Sequence, residues 1–134
     1  MFYKMIENKC NEWYNSEQCT VRNLIEYIEK TGQMRDAQIE AIKVYLFLKI
    51  GCECKSLESL FRYGYFNSIN LNNIELSTAT REYLEENPAA TALFEYSRLT
   101  NDKGEQVSGK LEKQIKKDPS SIDYDAFFRT AFYG

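Results

Sequence analysis

Arg35 and Gln38 stand three residues apart at the start of an apolar run, and their side chains suit recognition of a purine base. A glutamine carboxamide offers an acceptor and a donor side by side, and adenine presents the matching N6 donor and N7 acceptor. Residues three apart on a helix lie one turn apart on the same face, so Arg35 would lie beside Gln38. The plainer interpretation is that both residues form the polar side of an amphipathic helix.

The segment Gly104–Leu111, GEQVSGKL, comes close to a phosphate-binding loop. It matches the pattern G-x-x-x-x-G-K-[ST] except at the last position, where Leu111 replaces the hydroxyl that binds Mg²⁺. Glu105 would also place a carboxylate where phosphates lie. The preceding residues 100–103 read as a turn and not as the buried strand that such a loop must follow. We therefore expect a surface loop that leads into a helix.

Histidine is absent from the sequence, which removes the commonest general base and the Ser-His and Cys-His nucleophile pairs. Cys52 and Cys54 form a C-x-C pair, but structural zinc sites use two such pairs or add histidines. The spacing also differs from the C-x-x-C of redox sites. We predict no catalytic residue, no metal site, and four free structural thiols: Cys10, Cys19, Cys52 and Cys54.

Four lysines form a basic ridge on a helix expected near the C-terminal third: Lys110, Lys113, Lys116 and Lys117. Clustered lysines bind nucleic-acid phosphates, so these four are candidate DNA contacts. Glu112 interrupts the ridge. The plainer alternative is a solvated helix face whose cations favour the helix C-terminus.

An apolar segment from about residue 35 to residue 50 is the expected centre of the fold. Ile39, Ile42, Leu46 and Ile50 fall on one helical stripe, and neighbouring aromatic and aliphatic residues widen it. A helix that is apolar on most of its surface is covered on most sides by other elements. We predict an all-α fold, a single compact domain of seven or eight helices packed around this one.

Capping residues mark the expected helix ends. N-caps are predicted at six positions: Thr20, Ser56, Ser77, Asn87, Ser108 and Asp123. Gly32 and Gly51 are expected just past the ends of two helices, where glycine favours a left-handed cap. Residues 67–74 are rich in Asn and are expected to form a loop.

Length and composition describe an ordinary globular chain of 134 residues, enough for one domain with a real core. The net charge of −3 gives no general attraction to nucleic acid or to membranes. The N-terminus lacks an apolar core of signal-peptide length, and no run approaches the roughly 18 apolar residues of a membrane span. We expect a cytoplasmic protein without a membrane partner.

Three blocks of the sequence carry a family resemblance: Asn11–Phe66 with Arg35-x-x-Gln38-x-x-Ala41-Ile42 inside it, NPAATALFEYSRL, and the ending from Phe127. The short motif resembles the adenine-reading Q motif of superfamily-2 helicases and of type III restriction-enzyme ATPase subunits. Together the blocks resemble the N-terminal region of bacterial DEAD/DEAH-box helicase family proteins. The resemblance covers most of the chain but only the part of such a protein that precedes its motor core.

The resemblance implies an accessory role with no catalysis by this chain. Gln38 and Arg35 would contact the adenine of ATP, and the chain would brace the first lobe of a following motor domain. A motor needs a phosphate loop, metal-binding carboxylates and a second lobe, so ATP would be a cofactor only together with that missing domain.

Two other function classes remain open from the sequence. One is a stand-alone helical module that binds a protein partner through an aromatic-rich face. The other is a small nucleic-acid-binding domain, for example in phage defence, that uses the lysine ridge. Exposure of Gln38 at a rim beside a truncated C-terminal edge favours the adenine interpretation. A Gln38 that neighbours bury or cap, together with a closed C-terminal helix, favours the interaction module.

Overall fold

The computed structural model describes residues 2–133, and within that range the chain forms eight α-helices and no β-strand. The helices are α1 (Phe2–Tyr14), α2 (Arg22–Thr31), α3 (Asp36–Leu46), α4 (Leu57–Arg62), α5 (Thr78–Glu86), α6 (Pro88–Arg98), α7 (Gly109–Lys117) and α8 (Tyr124–Tyr133). A π-helical turn, Phe47–Gly51, follows α3, and 3-10 turns lie at Leu71–Asn73 and Pro119–Ser121. The predicted all-α fold of seven or eight helices is confirmed.

The chain divides into two compact units. Tyr3–Lys55 form one, called here the N-terminal unit; Phe2 and the residues from Ser56 onward form the other, the C-terminal unit. The expectation of a single domain stays a prediction.

The helix expected over residues 35–50 does not occupy the centre of the fold. In α3 and the π turn only Ile39 and Phe47 are buried, while Tyr45 is 60% exposed and Ile50 is 42% exposed. A π turn contains one more residue than an α turn, which is visible in the hydrogen bond from Cys52 N–H to the Phe47 carbonyl. The extra residue changes the direction of the side chains after Phe47, so Ile50 leaves the regular stripe and is exposed, while Phe47 is buried.

The most buried helix of the described chain is α6, in the C-terminal unit. Seven of its residues are buried: Ala90, Thr91, Ala92, Leu93, Phe94, Glu95 and Ser97. Its small residues allow neighbours to approach closely, and α4, α5, α7 and α8 all pack against it. The aromatic ending of the chain closes this core, since Phe128 is fully buried and Phe132 stacks on Phe61 with ring centroids 5.2 Å apart.

Most of the predicted caps are present. The hydroxyls of Ser56, Ser77 and Ser108 each accept the backbone N–H three residues on, at 3.2 Å. Asp123 does the same for α8 through the N–H of Ala126 at 3.1 Å. Asn87 stands at the N-cap of α6, but its side chain donates to the Tyr83 carbonyl instead.

Two predictions about helix ends are wrong. The N-cap of α2 is Val21 and not Thr20, and the loop before it is held by Arg22, whose guanidinium donates to the Tyr14 carbonyl at 2.7 Å. Gly51 lies inside the π turn and not at a left-handed cap. It is needed for packing, because a Cβ there would come within 2.9 Å of Phe47 Cδ1. Gly32 does follow α2 directly, although with an extended backbone, φ −82°.

Candidate functional site

Arg35 and Gln38 meet at the start of α3, where both are exposed. Arg35 is the N-cap residue, with an extended backbone, and Gln38 is the third residue of the helix. Gln38 Oε1 accepts the backbone N–H of Arg35 at 2.9 Å. This is one half of a capping box, in which the residue at the third helical position satisfies the N–H of the N-cap. The other half is missing because a guanidinium has no acceptor.

The cap fixes the Gln38 carboxamide without using all of its hydrogen-bonding capacity. A carboxamide oxygen has two lone pairs, and only one is taken by Arg35 N–H. In the part of the chain that the structure describes, no acceptor takes either Nε2 hydrogen. Gln38 therefore presents an acceptor and a donor to solvent from a preset orientation.

The segment that resembles a phosphate loop is a surface turn, as expected. Thr100 and Gln106 pair as an isolated antiparallel bridge, and Gly104 between them has φ +80°. The first turn of α7 is already occupied, since the Ser108 hydroxyl accepts the N–H of Leu111. No buried strand precedes the loop within residues 2–133. A phosphate would have to displace the cap, so this segment is not a nucleotide site.

The four lysines of the ridge do not all lie on one exposed side of α7. Lys110, Lys113 and Lys117 are exposed and fall on one side of α7, whereas Lys116 is half-buried and turned away from them. Glu112, which interrupts the ridge in the sequence, forms an ion pair with Arg98 on the other side of the helix. Across the described residues no carboxylate pairs with a lysine of this ridge.

Three of the four cysteines are buried in the N-terminal unit, and only Cys54 is exposed. All four are free thiols. Burial raises the pKa of Cys10 to about 12, with a smaller contribution from Glu40, so this thiol stays protonated at neutral pH. Among residues 2–133 no group of three or more His, Cys, Asp or Glu side chains is arranged to hold a metal ion.

A cleft that the sequence did not indicate lies within the C-terminal unit. It has a volume of about 590 Å³, and its chemically active lining residues are Arg62, Tyr63, Tyr83, Asp123, Tyr124 and Asp125. Tyr124 is buried, its hydroxyl donates to the Pro119 carbonyl at 2.6 Å, and burial raises its pKa. These residues come from three separate stretches of the chain, so no local motif marks the cleft.

No family model, no curated protein and no solved structure matches this chain. The helicase resemblance therefore rests on the residues quoted for it and stays a prediction. Within residues 2–133 every helix is too short or too polar to cross a bilayer.

Proposed function

We propose that this chain is a cytoplasmic helical accessory domain of a helicase-like or type III restriction-like ATPase, in which Gln38 and Arg35 contribute an adenine contact. The chain has no catalysis of its own. Its partner is the following motor domain, which supplies the phosphate and magnesium contacts, and ATP is a cofactor of the two together.

The exposed Gln38 carboxamide is the observation that supports this proposal. Its orientation is set by the bond to Arg35 N–H at 2.9 Å, and it still offers one acceptor lone pair and two donor hydrogens. A preset carboxamide loses little conformational freedom on binding, which favours affinity. The guanidinium of Arg35, the exposed N-cap residue of the same helix, is planar and stacks well on aromatic rings, so it suits the face of a purine.

Calorimetric titration with ATP and with GTP tests the proposal on the chain itself. We expect weak binding of ATP and weaker binding of GTP, because guanine presents an acceptor where adenine presents its N6 donor. Gln38→Glu keeps the oxygen that caps α3 but loses the amide hydrogens that would donate to adenine N7, so it should weaken the binding of ATP. Gln18→Glu makes the same chemical change at another exposed position of the N-terminal unit and should have no effect.

Equal binding of ATP and GTP by the wild type would contradict the adenine contact. So would an unchanged affinity for ATP in Gln38→Glu, since that variant removes the donor to adenine N7.

The lysine face supports a second candidate, binding of nucleic-acid phosphates. Lys110, Lys113 and Lys117 share one exposed side of α7, and the Glu112 carboxylate is drawn away from them by Arg98. Affinity from such contacts falls with salt, and each lost phosphate contact lowers the salt slope by about 1. The net charge of −3 opposes the approach of DNA, so the contact would be local to this face.

Fluorescence anisotropy with a labelled DNA duplex at several salt concentrations tests the second candidate. Lys113→Gln should weaken binding and reduce the salt slope, while Lys55→Gln, which removes an exposed lysine of the N-terminal unit, should do neither. A DNA affinity and a salt slope that are unchanged in Lys113→Gln would refute this candidate.

A further inference from the structure

The cleft of the C-terminal unit has aromatic walls. The exposed Tyr63 ring lies on one side, and Tyr83 and Tyr124 stand together with ring centroids 6.4 Å apart. Its volume of about 590 Å³ is within the range of small-molecule sites, about 300–1,000 Å³. Tyrosine rings present a negative face that attracts cations and an apolar surface that packs alkyl groups.

The cation in the lining, Arg62, is already compensated. Its guanidinium pairs with the Glu58 carboxylate at 3.3 Å, and Glu58 is itself buried. It also lies over the Tyr63 ring, 5.1 Å from the centroid. Hydrogen bonding to Tyr63 and then the charge of Glu58 raise the pKa of Arg62, so the group stays charged and paired. Arg62 thus adds little free positive charge to the cleft.

Two carboxylates in the lining retain binding capacity. Asp123 uses Oδ1 to cap α8 by accepting the N–H of Ala126, which leaves Oδ2. Asp125 lies in the first turn of α8 and is exposed, and within the described residues it makes no salt bridge. Both negative charges also stabilise the N-terminus of α8 through the helix dipole. That interaction needs only proximity, so the carboxylate oxygens stay accessible. The cleft lining therefore holds two carboxylates and one guanidinium, and that guanidinium is already paired with Glu58.

We propose that this cleft binds an organic cation of the size of a lysine or arginine side chain. The ammonium or guanidinium group lies between Asp123 and Asp125, and the alkyl stem packs against the rings of Tyr63 and Tyr83. A desolvated cation between carboxylates gains charge-assisted hydrogen bonds, and the tyrosine faces add cation–π attraction. This binding is independent of Gln38.

An NMR titration of the full chain tests the site with three probes that share a butyl group: butylammonium, butanol and butyrate. We expect saturable shifts of the Tyr63 and Tyr83 amides with butylammonium alone. Asp125→Asn should weaken its binding about tenfold, which corresponds to about 1.4 kcal/mol. Asp102→Asn makes the same change on a distant exposed loop and should leave the affinity unchanged.

A second variant keeps the test informative if Asp125→Asn alters the start of α8. Tyr63 is 69% exposed, so Tyr63→Leu should fold normally and weaken butylammonium binding by about threefold, because leucine offers less apolar surface to the alkyl stem than the tyrosine ring does. The proposal would be overturned if butyrate or butanol bound as tightly as butylammonium does. It would also be overturned if the affinity for butylammonium were unchanged in both variants. Tighter binding of a blocked lysine amide than of a free diamine would identify the ligand as a polypeptide side chain, and the reverse would identify it as a free amine.

Discussion

Replacing Gln38 separates its role in stability from its role in recognition. Gln38→Ala removes the acceptor of the Arg35 N–H bond of 2.9 Å at the start of α3. Loss of a helix cap costs about 0.5–2 kcal/mol, and the low end applies here because both residues are exposed and water replaces the lost acceptor. Alanine recovers a few tenths of a kcal/mol through its higher helix propensity. The net expectation is a loss of about 0.2 kcal/mol.

Gln38→Glu should instead be at least as stable as the wild type. Its carboxylate keeps an oxygen for the Arg35 N–H and adds a negative charge to the first turn of α3, which gains about 0.3–1 kcal/mol from the helix dipole. Repulsion from Asp36 and Glu40 reduces that gain, so we expect equality or a small increase. Gln38→Glu should therefore lose adenine affinity without losing stability, whereas Gln38→Ala should lose both.

Urea unfolding followed by tryptophan fluorescence measures the effect, because Trp13 is the sole tryptophan and is 6% exposed in the N-terminal unit. With a slope of about 1 kcal/mol per molar urea, Gln38→Ala should lower the midpoint by about 0.2 M. Gln18→Ala changes an exposed side chain in the same unit and should leave the midpoint in place. A Gln38→Glu variant as unstable as Gln38→Ala would refute the capping argument.

Three further predictions concern stability. Ser108→Ala removes the acceptor of the Leu111 N–H and should lower the free energy of unfolding, measured by thermal unfolding, by about 1 kcal/mol. Ser108→Asp, which also accepts that N–H, should keep the stability of the wild type. Leu93→Ala, at a fully buried position of α6, should cost about 2–5 kcal/mol by chemical denaturation. Stability should fall between pH 9 and about 12, because the unfolded Cys10 thiol ionises near its ordinary value while the folded one does not. Cys10→Ala should flatten that part of the pH profile; an unchanged slope would contradict the burial argument.

The helix starts were the part of the fold most accessible from sequence. Ser56, Ser77 and Ser108 cap their helices through bonds that span only three residues, so the local pattern determines them. The segment 35–50 was harder to predict, because the π turn at its end depends on packing in three dimensions. Phe47 lies beside Trp13 with ring centroids 5.7 Å apart, and no spacing within the segment encodes that contact.

The candidate sites also contain parts that the sequence predicts and parts that depend on the folded structure. The pairing of Arg35 with Gln38 followed from their spacing, but the bond that orients the carboxamide did not, since a capping box usually has Ser or Thr at the N-cap. The cleft joins Arg62 to Asp125 across 63 positions of sequence. Its formation requires α4, α6 and α8 to be packed first, so pattern analysis of any one segment does not detect it.

The most direct test of the central claim is a chemical-shift titration of the Gln38 side-chain amide with adenosine and with guanosine. We expect adenosine to shift the Nε2 proton signals of Gln38 and the backbone amide signal of Arg35. We expect guanosine to shift both signals less. Absence of any shift with adenosine in the millimolar range, or equal shifts with both nucleosides, would contradict the adenine contact.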